Sequence, residues 1–203
     1  MMIYLQNYFL NLEEYILAGG IVMLPLIIIS LLMWGLIINR AFFFRQLYRK
    51  NISRKMAGDF LKSGIIPDPK QYKGAIAYLV TEFLKRRSHK ACIDSYILDE
   101  TVLILTSSLN RYLAIIGSLA AIAPLLGLLG TVTGMITTFD SMSVFGTGNA
   151  KAMAGGISEA LITTQTGLLV AIPGFYFRNL LVQRANILQN RISSVGIYLQ
   201  RYV

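Results

Sequence analysis

The sequence predicts an all-α integral membrane protein, with three transmembrane helices that extend into a cytoplasmic helical bundle. Composition is the first reason, because 55% of the 203 residues are hydrophobic and 14% are charged, whereas a soluble domain usually carries about 25% charged residues. The second reason is that three long runs contain almost no charge, and each is longer than the roughly 20 residues that a helix needs to cross a bilayer. None of the runs alternates polar with apolar residues, so they predict helices and not the strands of a barrel.

Other classes of protein fit the sequence poorly. The net charge of +9 lies in blocks beside the apolar runs, so membrane topology and lipid phosphates explain it without a nucleic acid. The single cysteine, Cys92, and the single histidine, His89, exclude a disulfide framework and a structural zinc site. Neither a P-loop nor an HExxH pattern nor a nucleophile elbow occurs. We therefore predict no enzyme activity, no metal and no cofactor.

The beginning of the chain predicts an outer segment followed by a membrane anchor that is retained. Residues 1–14 contain Glu13 and Glu14 but no basic residue, so they do not resemble a cleaved secretion signal. We interpret residues 1–14 as a periplasmic or interfacial segment, and residues 15–39 as the first transmembrane helix.

The other two apolar runs set the remaining boundaries. Residues 112–139 form the predicted second transmembrane helix and residues 152–177 the third, with a short periplasmic loop at 140–151 between them. Lysine and arginine are retained on the cytoplasmic side of a membrane, and the net charge is +8 over residues 40–111 and +4 over residues 178–203. These two regions are therefore predicted to be cytoplasmic, and the N-terminus periplasmic.

The cytoplasmic region is predicted to be helical. Residues 41–63 predict a helix that continues from the first span and ends at Gly64, and residues 71–87 predict a second. A third is predicted from about residue 91, running without a breaker into the second span. In the C-terminal helix, apolar side chains recur with the spacing of a heptad: Leu181, Ala185, Leu188, Ile192, Val195, Leu199 and Tyr202. The spacing leaves open whether this face packs on its own chain or on a neighbouring subunit.

Glu159 is the strongest candidate for a functional residue. It lies seven residues inside the third apolar run, where a carboxylate costs about 2.5–3.5 kcal/mol on insertion scales. Two structural explanations compete: the span begins later, or the acid pairs with Lys151, which lies eight residues earlier and beyond i,i+4 reach. Because acids inside membrane segments usually mark ion pathways, we favour a role in proton movement.

Hydroxyl residues and small residues occur in the second and third apolar runs, on the same span as this acid and on the one before it. On a helical wheel Thr163 and Thr166 fall within about 40° of Glu159 and form a polar stripe with it, whereas Thr164 lies off that stripe. Thr131 is one of several hydroxyls in the second span. Small residues predict close packing of the helices, at Gly127, Gly130, Gly134 and Gly167. Pro173 predicts a local kink in the third span.

Two stretches carry a resemblance to a known family. Residues 123–136 (APLLGLLGTVTGMI) and residues 156–173 (GISEALITTQTGLLVAIP) resemble the MotA/TolQ/ExbB proton-channel family, and its ExbB/TolQ branch most. The resemblance implies a homo-oligomeric ring, a pentamer, in the bacterial inner membrane. The second and third spans of such a ring line a pore around a single-span ExbD- or TolR-like protein. Proton flow is then expected to drive a TonB- or TolA-like protein that reaches the outer membrane.

The resemblance assigns site residues by motif. The pore acid of the family matches Glu159, and its pore hydroxyls match Thr131 and Thr164. The helical wheel instead favours Thr163 and Thr166 beside the acid, and the sequence leaves this choice open. It also leaves open the client system and whether the coupling ion is H⁺ or Na⁺.

Two other functions compete with this one. A passive oligomeric scaffold without obligatory ion flux is the alternative. A small-solute transporter that acts alone fits least, because three spans without an inverted repeat offer no binding site of their own.

Overall fold

The computed structural model describes residues 15–48, 52–68, 71–72, 74–88, 90–146 and 150–203. In chain order its helices are α1 (Met23–Tyr48), α2 (Arg54–Ser63), α3 (Ala75–Arg86), α4 (Ala91–Asn110), α5 (Leu113–Phe145) and α6 (Ala150–Leu199), followed by a 3-10 turn at Gln200–Tyr202. The predicted interfacial segment 1–14 lies outside the described residues, as do residues 147–149 of the predicted loop.

Three helical stretches are long and apolar enough to cross a membrane: Met23–Tyr48, Ala91–Phe145 and Met153–Tyr202. No strand occurs among the residues that the structure describes. The prediction of an all-α protein with three candidate spans is therefore confirmed.

The first apolar run contains a turn near its beginning. Residues 15–18 are helical, the chain then turns at Gly19 and Gly20, and α1 begins at Met23. Gly20 has a φ of 65°, a left-handed conformation that glycine adopts at little cost. The paired glycines thus interrupt the helix within the predicted span 15–39.

The helix predicted over residues 41–63 is in fact two helices. α1 ends at Tyr48, and α2 begins after the cap residue Ser53, whose hydroxyl accepts a hydrogen bond from the backbone N–H of Met56 at 3.3 Å. A serine in this position gives a partner to one of the free N–H groups of the first turn and so favours a new helix start. The end of α2 at Gly64 is as predicted.

A second break separates α4 from α5, where the sequence predicted a continuous helix. Tyr112 at this break has a φ of 68°, a conformation that costs a residue with a Cβ about 1–2 kcal/mol. The buried guanidinium of Arg40, on α1, lies 5.0 Å from the centroid of the Tyr112 ring and donates a hydrogen bond to the carbonyl of Ser108 at 3.3 Å. These contacts come from a distant part of the chain, so the local pattern did not contain the break.

The chain divides into two compact units. The first combines the chain up to Leu36 with Ile115–Arg178, and the second combines Ile37–Ala114 with Asn179–Val203. The first unit holds Glu159 and the threonines and glycines that the sequence selects. The second holds α2, α3, α4 and the C-terminal part of α6.

The heptad face of the C-terminal helix is buried within the second unit. Each of its first six members exposes 5% of its surface or less: Leu181, Ala185, Leu188, Ile192, Val195 and Leu199. The seventh, Tyr202, is half-buried and shares a hydrogen bond of 2.8 Å with Tyr198. Of the two alternatives that the sequence left open, the structure therefore supports packing on the same chain.

Candidate functional site

The site is built on α5 and α6, whose backbones approach closely in the first unit. Glycines make this possible, because a Cβ at Gly127 would lie 3.1 Å from the Cα of Thr164, and a Cβ at Gly167 would lie 2.7 Å from the carbonyl oxygen of Ala123. A Cβ at Gly134 would lie 2.6 Å from the carbonyl oxygen of Gly156. Such spacing leaves no room for a larger residue and is typical of glycine-mediated helix pairs in membranes.

Thr163 is fully buried at this helix contact. Its hydroxyl donates to backbone carbonyls of its own helix, at 2.9 Å from that of Glu159 and 3.0 Å from that of Ala160. The side chain packs on Gly130 of α5, where an added Cβ would collide with it. Thr163 therefore faces α5, one turn from the acid.

Thr164 connects the two helices by a hydrogen bond. Its hydroxyl oxygen lies 3.0 Å from the carbonyl oxygen of Gly127 on α5 and 3.1 Å from that of Ala160 on α6. Thr131, the other hydroxyl selected by the resemblance, is half-buried and donates to the carbonyl of Leu128 on its own helix at 2.6 Å. The structure thus places Thr164, as well as Thr163, against α5.

The carboxyl group of Glu159 lies against the turn that precedes α1. The side chain is half-buried, and its Oε1 occupies the space that a Cβ at Gly20 would need. The contact is possible because Gly20 has no side chain. Gly20 also has a left-handed φ of 65°, which glycine adopts at little cost. The acid therefore faces Gly20 of the same chain.

Thr166 completes the polar stripe on the side of the N-terminal residues. Its hydroxyl lies 2.8 Å from the carbonyl oxygen of Ile162, to which it donates, and 3.1 Å from the phenol oxygen of Tyr15. The stripe is therefore shared: Thr163 faces α5, whereas Glu159 and Thr166 contact residues 15–20.

The sequence did not select Tyr15 or Gly20. The only signal in it was the Gly19–Gly20 pair inside an apolar run, which marks a turn without saying what the turn touches.

Pro173 lies inside α6, which continues as one helix from Ala150 to Leu199. The next residue, Gly174, is buried where three helices meet. A Cβ there would lie 2.9 Å from the Cε of Met33 on α1 and 3.0 Å from the Cβ of Ala120 on α5. The proline is thus adjacent to the point where α1, α5 and α6 pack together in the first unit.

Large apolar side chains cover the surfaces of α5 and α6 that face away from these contacts. The exposed residues of the first unit include Leu125, Leu128, Leu129, Val132, Ile136 and Phe139 on α5, and Leu161, Leu168, Leu169, Ile172 and Tyr176 on α6. Surfaces of this kind are covered by lipid or by other protein.

Comparisons with known proteins agree with the motifs. The model of the MotA/TolQ/ExbB proton channel family matches residues 71–194. The protein named ExbB-like 3 of Synechocystis sp. is 33% identical over 203 aligned residues, which cover 92% of this chain and 94% of that protein. The ExbB-like 1 protein of the same organism is 30% identical, with 93% of this chain and 77% of that protein covered. The biopolymer transport protein ExbB of Aquifex aeolicus is 41% identical over 80 residues, or 39% of this chain and 54% of that protein.

Proposed function

The chain belongs to the MotA/TolQ/ExbB proton channel family, and on this premise we propose that it is the proton-channel subunit of an inner-membrane motor. The motor combines it with a single-span protein of the ExbD or TolR kind. It uses the proton motive force to energise a TonB- or TolA-like protein, for transport across the outer membrane or for maintenance of the envelope.

The observation that carries this proposal is the environment of Glu159. The acid lies on a helix that is apolar enough to span a membrane, and Thr166, on the same face, lies within hydrogen-bond distance of Tyr15. A carboxyl group in such a place is costly, and the hydroxyls of Thr166 and Tyr15, about two helical turns away on the same face, are groups that bind water. We propose that Glu159 takes up and releases the proton.

The hydroxyl groups have different parts in this proposal. Thr166 lies on the face of α6 that carries the acid and contacts Tyr15. Thr163 and Thr164 already donate to backbone carbonyls, so towards water or a partner helix they act through their oxygen lone pairs. The hydroxyl of Thr131 on α5 donates its proton to the backbone carbonyl of Leu128, so it too acts through its oxygen lone pairs.

Oligomerisation is part of the proposed function. Three helices cannot enclose a pore of their own, and the exposed apolar surfaces of α5 and α6 have to be shielded from water by lipid or by other subunits. We propose a homo-oligomeric ring, a pentamer as the family implies, with α5 and α6 lining a lumen that holds the partner helix. The spacing of the two helices is set by Gly127, Gly130, Gly134 and Gly167. Pro173 lies next to their junction with α1, where Gly174 is buried.

Orientation follows from charge. With net charges of +8 over residues 40–111 and +4 over residues 178–203, we propose that these regions lie in the cytoplasm and that the N-terminus is periplasmic.

The decisive experiment compares two neutralised acids. The protein is reconstituted into liposomes together with the ExbD- or TolR-like protein of the same organism, and proton flux is measured under an imposed gradient. Glu159→Gln should keep assembly with the partner and lose at least about 90% of the flux, because the amide, unlike a carboxylate, cannot bind a proton and release it again. Asp140→Asn, which neutralises an exposed acid of α5, is the matched control and should keep the flux. Full flux in Glu159→Gln would exclude the acid as the carrier, and absence of flux from the wild type would favour a passive scaffold.

A further inference from the structure

We propose that Tyr15 and Gly20 form a cap over the polar stripe of α6, in which they are positioning residues for Glu159. The cap is the segment of residues 15–20, which ends in the Gly19–Gly20 turn. This inference rests on the proposed function, since it assigns a task to Gly20, which contacts the proton-carrying acid, and to Tyr15, which contacts Thr166 on the same face of α6.

The cap contacts the same face of α6 at two positions along the helix. Tyr15 contacts Thr166 and Gly20 contacts Glu159, and the two α6 residues are seven positions apart, or about 10 Å along a helix. One contact alone would be a local detail. Together they mean that the cap follows the stripe over two helical turns.

The direction of the hydrogen bonds can be worked out from the donors. The hydroxyl of Thr166 lies 2.8 Å from the carbonyl oxygen of Ile162, which accepts and cannot donate. Thr166 therefore gives its single proton to Ile162, and the phenol of Tyr15 donates to the Thr166 oxygen at 3.1 Å. The phenol thus fixes a hydroxyl on the face that carries the acid.

Gly20 limits where the carboxyl group of Glu159 can go. The Cα of Gly20 lies against the carboxylate, in the space that any side chain would fill. Because the left-handed φ of Gly20 also disfavours other residues, the position is specified both by conformation and by the space left for the acid. We infer that the cap restricts access to the carboxyl group from its own side of the stripe.

The test is chemical labelling of Glu159 in the purified full-length chain, without a partner and without a gradient. Dicyclohexylcarbodiimide, which modifies carboxyl groups in apolar surroundings, is added at a fixed pH, and the modified peptide is quantified by mass spectrometry. Tyr15→Phe keeps the ring and loses the hydrogen bond, so labelling should rise about 5-fold, the equivalent of one hydrogen bond. Gly20→Ala displaces either the cap or the carboxyl group, and labelling should rise about tenfold.

Matched controls exist for both variants. Gly35→Ala places a methyl group in open space on α1, and Tyr176→Phe removes only the hydroxyl of an exposed tyrosine on α6. Both should label like the wild type. Unchanged labelling in Tyr15→Phe and Gly20→Ala, or a change equal to that of the controls, would overturn the proposal.

A compensating substitution separates direct contact from general damage. Glu159→Asp shortens the side chain by one methylene and withdraws the carboxyl group from Gly20. If the contact is direct, Gly20→Ala should change labelling less than about twofold when it is combined with Glu159→Asp. If the increase persists in that background, Gly20 acts elsewhere and the cap is wrong. Because labelling needs no proton transport, its result is independent of the flux assay, and either proposal can fail alone.

Discussion

The hydroxyl of Thr164 on α6 donates to the backbone carbonyl of Gly127 on α5 at 3.0 Å, and shares its proton with the carbonyl of Ala160 on its own helix at 3.1 Å. The hydroxyls of Thr163 and Thr166 have their carbonyl acceptors within α6, so Thr164 alone among these three bonds to a carbonyl of α5. The cross-helix bond requires that the backbones lie close together, and Gly127 provides this because even a Cβ there would lie 3.1 Å from the Cα of Thr164. The glycine and the threonine therefore act as a pair: one permits the approach and the other bonds across it.

The first prediction concerns this bond. Thr164→Val keeps the shape of the side chain and loses the hydroxyl, so the free energy of unfolding in detergent should fall by about 1 kcal/mol. Thr164→Ser keeps the donor and should lose less than about 0.5 kcal/mol of stability by comparison. Thermal unfolding of the purified protein measures both.

The control for this prediction is Thr137→Val on α5. Thr137 is exposed and its hydroxyl bonds to the carbonyl of Thr133 on its own helix at 3.1 Å, so its loss should be nearly neutral. Equal losses in the two valine variants would show that the bond between the helices adds nothing to stability.

The second prediction concerns the space at Gly130. A Cβ at this position would collide with the side chain of Thr163, so Gly130→Ala should destabilise the protein by about 1–3 kcal/mol through overpacking. Gly155→Ala, on a part of α6 where a Cβ meets no atom, should be neutral or stabilising by up to about 1 kcal/mol, since alanine favours the helix. The same thermal unfolding assay compares them.

A second substitution checks the cause of this loss. Thr163→Ala removes two of the three atoms that the new methyl group meets, Oγ1 and Cγ2, and leaves the Cβ, so adding it to Gly130→Ala should recover part of the lost stability. If the double variant is no better than the sum of the single ones, the collision is not the reason for the loss.

The transmembrane part of the fold was predictable because its signals are local and strong. Three apolar runs gave the three candidate spans, and the glycines of the second span lie at the contact with α6. Glu159 was selected because an acid in an apolar run is costly wherever it points. These inferences needed only composition and spacing.

What the sequence could not give depends on contacts between distant residues. The helical wheel placed Thr163 and Thr166 beside Glu159, yet it did not contain the partners on α5 and near Tyr15 that divide the stripe. The break at Tyr112 was missed for the same reason, because the arginine that contacts the Tyr112 ring lies 72 positions earlier in the chain. The break before α2 was closer to being predictable, since Ser53 is a common cap residue.

The third prediction concerns Arg40 and this break between α4 and α5. The guanidinium of Arg40 lies 5.0 Å from the ring centroids of both Phe43 and Tyr112 and donates to the carbonyl of Ser108. A hydrogen bond from a charged donor contributes about 1.5–3 kcal/mol, and each cation–π contact about 0.5–2 kcal/mol. Arg40→Ala should therefore loosen the junction that these contacts hold.

Trypsin provides a direct measurement, because it cleaves after arginine and Arg111 is exposed beside Tyr112. In Arg40→Ala, cleavage after Arg111 should be at least about tenfold faster than in the wild type, since proteolysis follows the population of the open form. Arg40→Lys should fall between the two, because lysine keeps the charge but loses the planar group that stacks on the rings. Arg45→Ala, which removes an exposed arginine five residues further along α1, is the control and should be cleaved like the wild type. If Arg40→Ala were cleaved no faster than Arg45→Ala, the contacts of Arg40 would not be what keeps Tyr112 in its left-handed conformation.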